Sequence, residues 1–145
     1  MSDFSQLLND IEFFIRNEVV PYEKDPRNGG HGPDEDLVNE LRDKARLAGF
    51  MTPHILKNGD HRSQRDTAAL LKITGLSPLG SVACNTFAPD EGNMHTMLHW
   101  ATDEQKEKYL KPLCNGTATS CFAMTEPEVA GSDPTLIQTN AYQDG

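Results

Sequence analysis

The sequence predicts a mainly α-helical fold of about six helices that gives way, towards its C-terminal end, to the opening of a β region. Two observations carry this reading. Apolar residues recur at three- and four-residue steps over most of the chain up to Leu113, and helix-capping signatures punctuate those runs. From Thr119 onwards the pattern changes to weak two-residue alternation with Thr, Phe, Ile and Tyr. Helices followed by strands predict an α+β arrangement or separate domains, not alternating α/β units. The division falls between an all-α part, residues 1–117, and the beginning of a β part, residues 118–145.

The elements follow in order. Phe4, Leu7, Leu8, Ile11, Phe14, Ile15 and Val19 make one apolar stripe on a first helix, which Pro21 ends or kinks. Asp3 with Gln6 is able to close a capping box at its start. The loop Asp25–Gly32 carries no periodicity. Pro33 suits the first position of a second helix, and Asp34, Glu35 and Asp36 place negative charge on the positive end of its dipole. Leu37, Val38, Leu41, Ala45 and Ala48 form its buried face, and Gly49 is its stop. Residues 50–60 read as irregular. Ser63 with Asp66 starts a third helix, through Ala68 and Leu71, to a stop near Gly75. Ser77-Pro78 begins a short fourth helix over Leu79–Ala83. Pro89-Asp90-Glu91-Gly92 interrupts, and Met94, Met97, Leu98 and Ala101 mark a fifth.

Thr102-Asp103-Glu104-Gln105 is a capping box for a sixth helix. Glu104 with Lys108, and Glu107 with Lys111, are favourable i,i+4 pairs, while Tyr109, Leu110 and Leu113 supply the apolar side and Asn115-Gly116 the stop. Thr119–Thr125 then reads as a strand, Glu126–Pro134 as a loop rich in Pro, Gly and Ser, and Leu136–Tyr142 as a second strand. Asp144-Gly145 is a hairpin-turn dipeptide, read as the tip of a hairpin whose second strand would follow.

Composition narrows the functional classes. The 145 residues include 22 acidic and 13 basic side chains, a net charge of −9. Such a balance argues against nucleic acid or an anionic membrane surface as the main partner. Three cysteines, Cys84, Cys114 and Cys121, do not read as a disulfide framework, so a reducing, cytoplasmic setting is expected. The start lacks a basic n-region and an apolar h-region, and no stretch approaches the roughly 20 apolar residues of a membrane span.

The loop Thr125–Asp133 is the most informative stretch. Around Ala130, Gly131 and Ser132 it offers backbone amides free of bulky side chains, able to form a nest for an anionic group, with the Ser132 hydroxyl as a further donor. Thr125 is placed to point a hydroxyl at a ring heteroatom. A plain strand-to-strand turn is the competing reading. His95 and His99 share one helix face at zinc-site spacing, yet no acidic or cysteine ligand accompanies them, so no metal site is named. Cys121 has no neighbouring base to activate it and reads as a small core residue. No carboxylate pair stands out as an acid/base couple.

Cys121-Phe122-Ala123-Met124-Thr125-Glu126-Pro127, followed by Ala130-Gly131-Ser132-Asp133, resembles the acyl-CoA dehydrogenase family, which carries a Thr-Glu-Pro…Gly-Ser-Asp signature at the end of the first strand of its middle domain. The upstream run Gly92-Asn93-Met94 and Thr102–Leu113, with Asn115-Gly116, is similar to the family's stretch before that signature. The order and spacing of the two together are more specific than either alone. The common loop is one residue shorter; here Glu128-Val129 stands in place of a glycine, which resembles the branch containing family members ten and eleven.

The resemblance implies an N-terminal helical domain, a middle β-barrel domain and a C-terminal helical bundle. It implies FAD against the middle domain and an acyl-CoA substrate beside the flavin. Carried onto this chain, Phe122, Ala123, Met124 and Thr125 would meet the isoalloxazine, largely by main chain, with the Thr125 hydroxyl added. Gly131 and Ser132 would sit at the FAD pyrophosphate, and Ser132 would also reach the substrate. The implied reaction removes an α-proton to a glutamate of the C-terminal domain and a β-hydride to the flavin. Electrons then pass to an electron-transferring flavoprotein, and the full-length protein is a homo-oligomer. The isolated chain is expected to be inactive, since that glutamate is not among its residues. An acyl-CoA oxidase on the same fold is the nearest alternative. A non-enzymatic acidic helical module that binds a partner protein is the second. The Thr125–Asp133 signature favours a flavoenzyme of this fold over the non-enzymatic module.

Overall fold

The computed structural model describes residues 3–56 and 58–144. The chain is mostly helical. Helix α1 (Asp3–Phe14) runs without a break through a π turn (Ile15–Val19) into a 3-10 turn (Val20–Lys24) that takes up Pro21 near its start. The stripe read from the sequence is the one buried: Ile11, Phe14, Ile15 and Val19 are in the core, with Phe4, Leu7 and Leu8 packed against it. Each such side chain, fully buried, contributes roughly 1.5–3 kcal/mol. The start differs from expectation. Asp3 is already helical, and the Gln6 amide donates forward to Asp10 Oδ1 at 2.8 Å instead of closing a box with Asp3.

A two-residue hairpin, β1 (Asn28–Gly29) with β2 (Gly32–Pro33), leads into α2 (Glu35–Ala48). Pro33 is therefore in the hairpin rather than in the first turn. Asp34 is the N-cap, because its carboxylate accepts the Leu37 amide at 2.9 Å, whereas proline has no side-chain acceptor. Gly49 closes the helix in the left-handed region at φ 77. Leu37, Leu41 and Ala45 are buried; Ala48, in the last turn, is exposed.

Helices α3 (Gln64–Thr74) and α4 (Pro78–Ala83) start where the sequence predicts, capped by the Ser63 and Ser77 hydroxyls. Gly80 lets α4 lie directly on the end of α3: a Cβ there would stand 2.2 Å from the Thr74 carbonyl oxygen. Helix α5 (Asp90–Trp100) takes Asp90, Glu91 and Gly92 into its first turn, so this run begins a helix rather than interrupting one. The Thr102–Gln105 capping box is formed in full and opens α6 (Asp103–Gln105), a π turn (Lys106–Leu110) and α7 (Lys111–Cys114) as one continuous helical stretch. Leu110 and Leu113 face inward, whereas Tyr109 is half exposed beneath Lys108. Gly116 ends the helical part at φ 69.

Two apolar cores result. One joins α1 to α2, α3 and α4; the other holds Met94, Leu110 and Leu113, with Ile55, Met97 and Leu98 against them. A buried polar network lies between them. Arg42 Nη1 donates to the Gly116 carbonyl at 2.7 Å and Nη2 to Asn85 Oδ1 at 3.3 Å. Asn85 Nδ2 donates to the Leu113 carbonyl at 2.8 Å. Thr52 bridges Cys84 and Cys114, its amide donating to one carbonyl and its hydroxyl to the other. These bonds hold Thr52 at φ 46, a conformation that a β-branched residue rarely adopts.

Beyond Ala118 the strands expected over Thr119–Thr125 and Leu136–Tyr142 do not form. Leu136 instead ends a 3-10 turn (Pro134–Leu136), and neither segment has a ladder partner among the described residues. Alternation prepares a backbone for pairing, but a strand exists only when a second strand takes its amides and carbonyls. The reading of Asp144-Gly145 as a hairpin tip rests on Gly145, which lies outside the described residues. Among the described residues no helix is long and apolar enough to cross a membrane.

Candidate functional site: the Phe122–Ser132 loop

The loop that carries the signature leaves the helical part at a defined point. The Ser120 amide and hydroxyl donate to Asp90 Oδ1 at 2.7 and 2.6 Å. Cys121, Phe122, Ala123 and Thr125 then lie exposed, Phe122 at 71%, with Met124 half-buried. Cys121 is thus a surface residue and not the core residue expected, because no sheet covers that face. The backbone amides of residues 121–125 donate to no other described residue.

The loop then folds back. Gly131 lies against Thr125, where an added Cβ would meet Thr125 Oγ1 at 3.1 Å. The amides of Ala130, Gly131 and Ser132 donate to no other described residue, and Ser132 is exposed. Two carboxylates brace the far side. Asp133 accepts from the Thr135 amide at 3.0 Å and its hydroxyl at 2.7 Å. Glu126 accepts from the amides of Gln138 and Thr139 at 2.9 and 2.7 Å, and from the Thr139 hydroxyl. These bonds favour the charged form, so both carboxyls sit below their usual range; the Thr139 hydroxyl is the leading cause for Glu126, the Thr135 hydroxyl for Asp133.

The arrangement brings Thr125 and Gly131 together and leaves Phe122 to Thr125 open on one side. An exposed ring, unpaired main-chain amides and a small-residue turn fit a flat heteroaromatic cofactor with an anionic arm. A Cβ at 131 would crowd the same cradle. The residues present therefore fit FAD. Sequence reasoning does not reach these carboxylate roles: Glu126 and Asp133 lie inside the signature, whereas nothing local marks Asp90.

The histidines belong elsewhere. Rings of His54, His61, His95 and His99 follow one another at 5.7, 4.4 and 4.6 Å, beside an open hollow of about 1130 Å³ lined by His61, His95, His99 and Lys106. None of residues 118–144 lines that hollow. His54 is fully buried with both ring nitrogens unpartnered, and burial, aided by His61, pushes it down to about 4. Among the described residues, no group of three or more His, Cys, Asp or Glu is arranged to hold a metal ion. Cys84 and Cys114 are unpaired thiols, pushed up by burial to about 12 and about 11.

Comparison with known proteins bears on the whole chain. The family profile described as "Acyl-CoA dehydrogenase, N-terminal domain" matches residues 2–117. The chain is 32% identical to acyl-CoA dehydrogenase family member 10 of Mus musculus, over 96% of this chain and 14% of that protein. It is 33% identical to family member 11 of Gallus gallus, over 97% of this chain and 19% of that protein. A solved structure of a protein assigned as an acyl-CoA dehydrogenase, from Mycobacterium abscessus, superposes with a TM-score of 0.75 at 31% identity. It covers 93% of this chain and 37% of that one. The chain therefore spans less than a fifth of the length of these curated relatives. With a mostly helical fold and a profile match over residues 2–117, this chain belongs to the acyl-CoA dehydrogenase family.

Proposed function

We propose that the protein carrying this chain oxidises acyl-CoA thioesters to 2-enoyl-CoA, with FAD as its cofactor. Residues 1–117 are its N-terminal helical domain, and residues 118–145 begin its middle β domain. The observation that carries the reading is the Thr125–Ser132 turn, where Gly131 is pressed against Thr125 and three successive amides are left for an anion. Phe122, Ala123, Met124 and Thr125 would hold the flavin ring, largely by main chain. Gly131 and Ser132 would hold the pyrophosphate, and Ser132 would also reach the acyl-CoA. FAD, when bound, supplies the acceptor for the substrate's β-hydride. The chain's own work is positioning: it fixes the ring against the substrate and sets polar donors where charge lies. We assign no residue of this chain as the α-proton base. An electron-transferring flavoprotein is the electron partner, the protein is a homo-oligomer, and its free thiols suit a reducing compartment.

The test is direct. The full gene product, purified with FAD, is expected to show flavin absorbance that bleaches on adding an acyl-CoA. Absence of flavin, and of bleaching with acyl-CoA thioesters of short, medium and long chain, overturns the reading. The isolated 145-residue chain does not carry the glutamate base or the second half of the FAD site that the family resemblance implies. It is therefore expected to bind FAD weakly or not at all and to be inactive; a tight complex in a fluorescence titration would refute this.

A further inference from the structure

Asp90 opens α5 and is fully buried, although it is a carboxylate. Its Oδ1 takes both the amide and the hydroxyl of Ser120, thirty residues away, while Oδ2 is buried without a partner. One turn later on the same helix, Asn93 Nδ2 donates to Ser120 Oγ at 2.8 Å and to the Cys121 carbonyl at 3.3 Å. A carboxylate buried with one idle oxygen is costly. Its position in the first turn of α5 offsets part of that cost through the helix dipole. What the cost secures is a grip on the last residues before Phe122.

Residues 120–125 belong to no helix and to no strand, and the amides of 121–125 donate to no other described residue. The next grip is at Glu126. Five residues reach at most roughly 17 Å. An angular error of about 10° at Ser120 would therefore move Thr125 by up to about 3 Å, where misplacement by about 1 Å is enough to cost 10²-fold in rate.

We propose that Asp90, seconded by Asn93, is a positioning residue for the flavin-facing segment: it fixes the direction in which residues 121–125 leave the helical domain. The proposal rests on the flavin reading above. The test uses the full gene product and compares Asp90→Ala, Asp90→Asn and Ser120→Ala. Three quantities are read: the FAD dissociation constant, the visible circular dichroism of bound flavin, and hydrogen exchange of the Ser120 amide. Asp90→Ala removes both bonds; it is expected to weaken FAD at least tenfold, alter the dichroism and deprotect the Ser120 amide. Asp90→Asn keeps an oxygen at the same place and is expected to restore most of all three. Ser120→Ala keeps the amide bond and should fall between; it still reports if Asp90→Ala does not fold. A purely structural role would lower the melting temperature and leave the flavin signals of the folded protein unchanged. Unchanged FAD affinity and dichroism in Asp90→Ala, or Asp90→Asn as damaging as Asp90→Ala, overturns the proposal alone. A wild-type protein that binds no flavin overturns the flavin reading and the proposal with it.

Discussion

The helical part and the segment after it are built by different forces. In the helical part, apolar cores are tied by a buried network in which Arg42 bonds to groups 40 to 74 residues away. Among residues 119–144 none is buried. There, three carboxylates do the ordering: Asp90 on Ser120, Glu126 on Gln138 and Thr139, and Asp133 on Thr135. Burial is worth kilocalories per side chain, while the solvent-facing bonds of Glu126 and Asp133 are individually worth little; of the three carboxylates, Asp90 alone reaches this segment from inside the helical part. Stability is therefore concentrated in one region and the proposed cofactor contacts in the other. A change in the first should unfold the chain. A change in the second should disturb binding while leaving stability nearly intact.

The sharpest way to break this contrast is at the network. Arg42→Ala removes the donor to Gly116 and Asn85 and leaves their oxygens buried, so a loss of about 4 kcal/mol is expected from chemical denaturation. Next is Gly80→Ala. Its Cβ would run into the Thr74 carbonyl, a backbone atom that cannot rotate aside, and a loss of about 3 kcal/mol is expected.

Acid comes third. His54 is held near 4 in the folded chain against about 6.5 unfolded, so the unfolded state takes up its proton first. Above pH 6.5 both states are neutral and His54 contributes no slope. As the pH falls from 6.5 towards 4, stability should drop by roughly 2–3 kcal/mol through this group. His54→Leu should flatten that limb of a stability-versus-pH curve; an unchanged limb would rule out His54 as its source.

The smallest stability effect belongs to the other region. Phe122→Ala, at an exposed site, should shift the denaturation midpoint by less than about 0.5 kcal/mol. In the full gene product the same variant should weaken FAD. If instead it destabilises the chain as Gly80→Ala does, the two regions are not separable in this way.

Helix starts and stops were legible because they are local. Ser63, Ser77 and Thr102 cap by bonds to amides two or three residues ahead, and Gly49 stops α2 through its own φ. Where helix starts differ from expectation, a local competition decides. Asp34 outdid Pro33 at the start of α2, and Pro89 stands before a helix rather than in a gap. The candidate site was legible as a signature. Its geometry was not, because the contact of Gly131 with Thr125 and the bond from the Thr139 amide to Glu126 depend on how the loop closes.

By itself, then, the sequence determined the mainly helical class, the caps and the apolar stripes, since each rests on residues within a turn or two of one another. Only the tertiary structure decided which polar residues are buried. Nothing local marks Arg42, Asn85 and Asp90 for burial; their partners lie 28 to 74 residues away. It also decided that residues 119–125 pair with no strand among the described residues. A strand's identity lies in its neighbour, and no local pattern supplies one.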